Sequence, residues 1–171
     1  MNTLDRLLAQ DAILKTCHQL LYSEDELDRT TMLSCFHPTQ KISLDMSGHL
    51  QEIPPTTLTP EEWWQQVHSI LGGFTATQHF AGNAVVTFDP EDEGKAHVKQ
   101  SVTAYHCIEE DGVLESVTAR AVQEFGMECF EGRWVIGRLV IWRSVPLDNG
   151  GLYLKAMERA KDVRTLRKPK D

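Results

Sequence analysis

From His79 to Pro146 the apolar residues alternate with a period of two through four long runs, 79–89, 95–109, 113–128 and 133–146. Only PEDEG, EEDG and FEGR separate them. Long strands joined by turn-length links can pair only with their chain neighbours, in antiparallel order, so this half of the chain reads as a curved meander. The preceding half has a different period. Ile13, Leu14, Cys17, Leu20 and Leu21 recur at helical spacing within 3–22, and a short second helix is expected at 26–36, before His37-Pro38. Gln40–Met46 reads as a short strand closed by Ser47-Gly48. After Pro54-Pro55, Thr59, Pro60 and Glu62 spell a capping box with proline at the first helical position; Trp63, Val67, Ile70 and Leu71 form one face, and Gly72-Gly73 stops the helix. Helices first and a meander afterwards predict an α+β fold with helices covering one face of the sheet.

The meander carries polar residues where a packed core would have hydrocarbon. One face of the second run reads Val98, Gln100, Val102, Ala104, His106, Ile108, and one face of the third reads Val117, Ala119, Ala121, Gln123, Phe125, Met127. A buried polar group left unpaired costs about 1–3 kcal/mol. His106, Gln100 and Gln123 must therefore bond to one another or line a hollow, and the small Ala104, Ala119 and Ala121 leave room for one. The fourth run is apolar on both faces, so its outer side needs a cover, either the C-terminal segment or a second copy in a homodimer.

Composition narrows the partners. The 171 residues suit one domain, read as 1–150 followed by a basic C-terminal helix or tail at 151–171. A net charge of -8 argues against a phosphate backbone as partner, and no apolar run is long enough to span a bilayer. The expected partner is a small molecule, not nucleic acid or membrane. No secretory leader is visible and Cys17, Cys35, Cys107 and Cys129 form no CxxC pair, so reduced thiols and a cytoplasmic location are expected. From Lys155 onwards seven basic residues face three acids, read as a solvated helix end and frayed tail.

Several stretches resemble the SnoaL-like branch of the NTF2-like (cystatin-like) superfamily, and within it the scytalone dehydratase group. They are Asp11-Ala12-Ile13, Tyr22 to Asp25, the CFHP run at 35–38, TQHFAGN at 77–83, the Tyr105-His106 pair and GRWVI at 132–136. The resemblance implies a cone of curved antiparallel sheet wrapped around the N-terminal helices. It also implies a cavity that dehydrates, isomerises or cyclises a small polyketide-like or terpenoid-like molecule of specialised metabolism without a cofactor. His79 and His106 fall on the family's two pocket histidines and Asp25 on the carboxylate that orients one of them. The family's serine and asparagine fall on Ala121 and Gln123, and its two water-holding tyrosines on Glu24 and Met46. The expected roles are His106 as general base or acid with Asp25 as its partner, His79 as a second proton-transfer or oxyanion group, and Gln123 on a substrate oxygen. Met46, Glu24, Asn83 and Trp63 are further candidates for substrate contact, although Glu24 also reads as an exposed member of the acidic SEDE run. Two readings compete with a lyase or isomerase. Two histidines and a carboxylate can hold a metal, though no HxD or HExxH spacing is present, and the same cone can serve as a non-catalytic binding protein.

Overall fold

The computed structural model describes residues 1–49 and 54–167. Among these residues four helices, α1 (Thr3–Glu26), α2 (Arg29–Ser34), α3 (Pro60–Leu71) and α4 (Gly151–Arg159), accompany six strands: β1 (Ile42–Asp45), β2 (Thr56–Leu58), β3 (Ala76–Phe88), β4 (Lys95–Glu110), β5 (Val113–Phe130) and β6 (Arg133–Arg143). The strands form one open sheet in the order β2-β1-β6-β5-β4-β3. This is the expected α+β cone. The meander β3 to β6 is antiparallel throughout. Its two tight hairpins turn on Asp111-Gly112 and Glu131-Gly132, all four residues with positive φ, the conformation that matches the twist of the flanking strands.

The other two strands depart from a pure meander. β1 lies parallel to β6, with Ser43 opposite Arg138, and β2, which the sequence pattern did not announce, pairs antiparallel with β1. A three-residue strand is too short for periodicity to reveal it.

α3 forms as its capping box predicts: the Thr59 side chain accepts from Glu62 N and the Glu62 carboxylate accepts from Thr59 N. Its buried Trp63, Val67 and Leu71 face the sheet and stabilise the packing by about 1.5–3 kcal/mol each. The inward faces of β4 and β5 are buried as read, from Val98 to Ile108 and from Val117 to Met127.

α1 is longer than its apolar spacing indicated. It runs through Ser23, Glu24 and Asp25 to Glu26 before Leu27 turns left-handed at φ 53, and Leu27 itself is buried. No glycine or proline interrupts the segment, and the acidic last turn, unfavourable beside the negative end of a helix, meets partners on β3.

The C-terminal segment also differs from its expectation as a solvated tail. α4 packs on α3 and β5, with Leu152 and Ala156 buried. Gly73 permits this approach, since a Cβ there would lie 1.7 Å from the Ala156 carbonyl oxygen. Lys155 pairs with Glu110 and Glu115, and Arg159 with Glu110. The segment thus closes the helical side of the sheet instead of covering the outer face of β6. Lys168 to Asp171, the end of the basic tail, lie outside the described residues. Among those described, no helix is long and apolar enough to cross a membrane.

Candidate functional site

Register brings the two histidines together. His79 sits opposite Ala104, and His106 opposite Thr77, so the imidazoles are diagonal neighbours on the inward face of the β3/β4 pair. Their ring centroids are 5.3 Å apart at an interplanar angle of 74°. Beside them is a cavity of about 120 Å³, walled by Val67, Leu71, Val102, Ala104, Ala119 and Ala121 among others. The small residues of β4 and β5 leave the space that the helices do not fill.

Asp25 reaches this site from the last turn of α1. Its Oδ1 lies 2.7 Å from His79 Nδ1 and accepts from Thr77 Oγ1 at 2.9 Å, while Oδ2 accepts from the His79 backbone N–H at 2.7 Å. A carboxylate can only accept, so Nδ1 carries the proton and the Nε2 lone pair is left free. Asp25 therefore orients His79, not His106 as expected. The reason is topological: α1 packs over β3, and β4 lies one strand further away.

Glu24, adjacent in sequence, is buried in the cavity wall instead of exposed in an acidic run. Its Oε2 stands 3.7 Å from His79 Nε2, too long for a hydrogen bond but close enough for charges to couple. Burial pushes the Glu24 carboxyl up to about 7, with Asp25 adding to the effect and His79 opposing it. Burial also disfavours charge on His79, yet the bond to Asp25 and the Glu24 and Asp25 charges outweigh it and hold the imidazole above its ordinary value. Asp25 is pushed up by burial, but its bonds from His79 and Thr77 prevail and keep it below the usual carboxylate range.

His106 has the opposite environment. It is 2% exposed, stacks on Phe74 at 4.9 Å, and its Nδ1 lies 3.1 Å from the Tyr153 hydroxyl. Burial, helped by the neighbouring His79 charge, pulls it down to about 3.

Gln123 lines the cavity and accepts from Gln100 Nε2 at 3.1 Å, which leaves the Gln123 NH₂ without a protein acceptor among the described residues. Met46 and Trp63 line it too. Asn83 does not: it is exposed, at φ 53, where the β3/β4 register shifts between Gly82 and Val85. The irregularity in the pairing there turns the side chain away from the inward face that His79 shares.

Three site neighbours escaped the sequence reading. His49 lines the cavity, its Nδ1 is buried without a partner among the described residues, and burial pulls it down to about 4. Tyr153 comes from α4, where the helical spacing of Leu152 and Ala156 was a usable signal. Arg167 donates to Thr77 Oγ1 at 3.0 Å and to the Glu24 carbonyl, and no local pattern marks it. As for the metal alternative, the described residues contain no group of three or more His, Cys, Asp or Glu side chains placed to hold an ion.

No curated protein matches the sequence. Solved structures share the fold. The Kfla4162 protein from Kribbella flavida superposes with a TM-score of 0.73 at 17% identity, over 92% of this chain and 99% of that one. A type 2 hexachlorocyclohexane dehydrochlorinase, LinA, gives 0.69 at 19% identity, over 84% and 90%. A candidate scytalone dehydratase from Novosphingobium aromaticivorans gives 0.68 at 17% identity, over 84% and 89%. A family model described as a SnoaL-like domain matches residues 5–140, a span that takes in Glu24, Asp25, His79, His106 and Gln123. On that match, the chain belongs to the SnoaL-like domain family.

Proposed function

We propose that this protein is a cofactor-independent lyase that eliminates water, or a comparable leaving group, from a compact molecule of specialised metabolism. The observation that carries the reading is His79, pinned by Asp25 with its Nε2 lone pair turned towards Glu24 at the edge of an apolar cavity. Neutral His79 takes a proton from an acidic C–H of the substrate, and Asp25 steadies the imidazolium that forms. The C–H electron pair becomes the new double bond as the carbon–oxygen bond breaks. Glu24, protonated near neutral pH, gives its proton to the departing oxygen, and His79 then restores that proton to Glu24 across the 3.7 Å gap. Protons and electrons balance with side chains alone. The structural relatives include a dehydrochlorinase and a candidate dehydratase, both elimination enzymes by name.

Size supports a single-ring substrate. A cavity of about 150 Å³ takes up benzene, and this one is about 120 Å³, so a polycyclic polyketide would need the walls to move. If Glu24 returned its proton to a second carbon instead of an oxygen, the same machinery would be an isomerase.

The test is a panel of single-ring β-hydroxy ketones incubated with the protein in D₂O and followed by NMR for α-deuteration and loss of water. Turnover by the wild type, and its collapse in His79→Ala, are expected. A ligand that binds the wild type and His79→Ala equally, with no exchange or elimination, would make this a binding protein.

A further inference from the structure

α4 lies beyond the matched span of 5–140 and yet supplies a hydroxyl to the cavity wall. Tyr153 Oη sits 3.1 Å from His106 Nδ1, and the imidazole, the phenol and the Phe74 ring pack in mutual contact. The other ring nitrogen, Nε2, is buried with no partner among the described residues. Two proton arrangements are possible, and they differ in what they leave unpaired. If Nδ1–H donates to the tyrosine oxygen, both the phenol O–H and the Nε2 lone pair lack partners among the described residues. If the phenol donates to Nδ1, only Nε2–H is left over. The orphan at buried Nε2 costs about 1–3 kcal/mol in either arrangement, and the second spares the half-buried phenol an unpaired O–H as well, so the second is preferred. Burial reinforces it by keeping the His106 ring neutral and the phenol protonated.

We propose that Tyr153 holds His106 as the neutral Nε2–H tautomer, so that His106 offers a hydrogen-bond donor to an acceptor oxygen of the bound molecule instead of acting as a base. Tyr153 is a positioning residue, and its own placement is firm: Gly73 lets α4 approach, and Lys155 and Arg159 tie the helix to the β4/β5 hairpin. With the Gln123 NH₂ on the same inner surface, the site presents donors on one side and the His79–Glu24 pair on the other. That polarity suits a substrate in which a carbonyl oxygen neighbours the acidic C–H, because the oxygen gains negative charge as the proton leaves. A halocarbon without oxygen would leave these donors unused. The carbonyl assignment rests on the lyase reading; the tautomer does not.

The experiment is two-bond ¹H–¹⁵N correlation spectroscopy of the histidine-labelled full chain between pH 6 and 8, with His106 assigned by the signal lost in His106→Asn. The expected wild-type spectrum shows His106 Nε2 protonated and Nδ1 unprotonated, with no titration across this range. Tyr153→Phe, which keeps the ring packing, should shift the population towards Nδ1–H or a mixture. An Nδ1–H wild type, a His106 that titrates near neutrality, or a tautomer unchanged in Tyr153→Phe would overturn the proposal. The wild-type spectrum decides even if the variant does not fold. A failed turnover panel with the Nε2–H tautomer present would sink the lyase reading and leave this one standing.

Discussion

His79 and His106 are the same side chain, 5.3 Å apart on adjacent strands, and their surroundings push their proton affinities in opposite directions. His79 is met by Asp25 and Glu24 from α1, so its cation has an ionised carboxylate bonded to one ring nitrogen and a second carboxyl beside the other. His106 is met by a phenol and a benzene ring, neutral groups that offset less of the hydration its cation loses than a bonded carboxylate does. Which helix packs over each strand has separated a residue suited to moving a proton from one suited to holding still and donating a hydrogen bond.

The largest effect expected from disturbing this pair is on turnover. His79→Ala should lower kcat by about 10²–10⁴-fold, the usual contribution of a positioned acid–base group, measured on whichever ketone of the panel is consumed. Activity needs neutral His79 and protonated Glu24, so kcat/KM should rise with pH as His79, held above the ordinary imidazole value, loses its proton, and fall as Glu24 loses its own at about 7. Asp25 holds the His79 value up, so Asp25→Asn should move the rising limb to lower pH, whereas His106→Asn should lower the rate without moving it. A rising limb that follows His106 would reverse the assignment.

Stability provides the next test, with opposite signs on the two sides of the site. His106 binds a proton less readily folded, at about 3, than unfolded, at the ordinary 6.5, so the fold loses stability as pH drops through that window. His106→Asn should flatten this acid-side slope by a few kcal/mol, on the order of the shift itself, in urea unfolding at pH 4 and pH 7. Glu24 is the reverse case. The folded carboxyl keeps its proton up to about 7 against an ordinary 4.5, so stability falls as pH rises between the two values. Glu24→Gln should recover up to about 3 kcal/mol at pH 8 and little at pH 4, seen as a higher Tm only in the alkaline melt.

The smallest expected effect concerns the C-terminal segment. The positive charge of Arg167 lowers the proton affinity of His79. Arg167→Ala should therefore raise the His79 titration midpoint, read from its Cε1–H resonance. A midpoint that falls would mean that Arg167 acts through packing instead.

Much of this architecture could be read in one dimension because its determinants are local. The strands of the meander announce themselves by alternation and short turns, α3 by its capping box, and the inward faces of β4 and β5 by where Gln100, His106 and Gln123 fall. Asn83 was less legible: one bulge in β3 turned this candidate for substrate contact out to solvent. The exposed reading of Glu24 failed for a similar reason, since a few further residues of α1 swing that side chain from water to the cavity wall.

Period, turn chemistry and capping residues thus determined the layers, the order of the meander and the presence of His106 and small residues on the covered face, because each depends on neighbours a few positions apart. Tertiary structure alone decided that Asp25 would hold His79, that Glu24 would be buried, that β1 would run parallel to β6, and that Tyr153 and Arg167 would return to the site. These pairings join residues that only the folded chain brings into contact. Their energies depend on burial and distance, and neither is a property of residues taken in order along a chain.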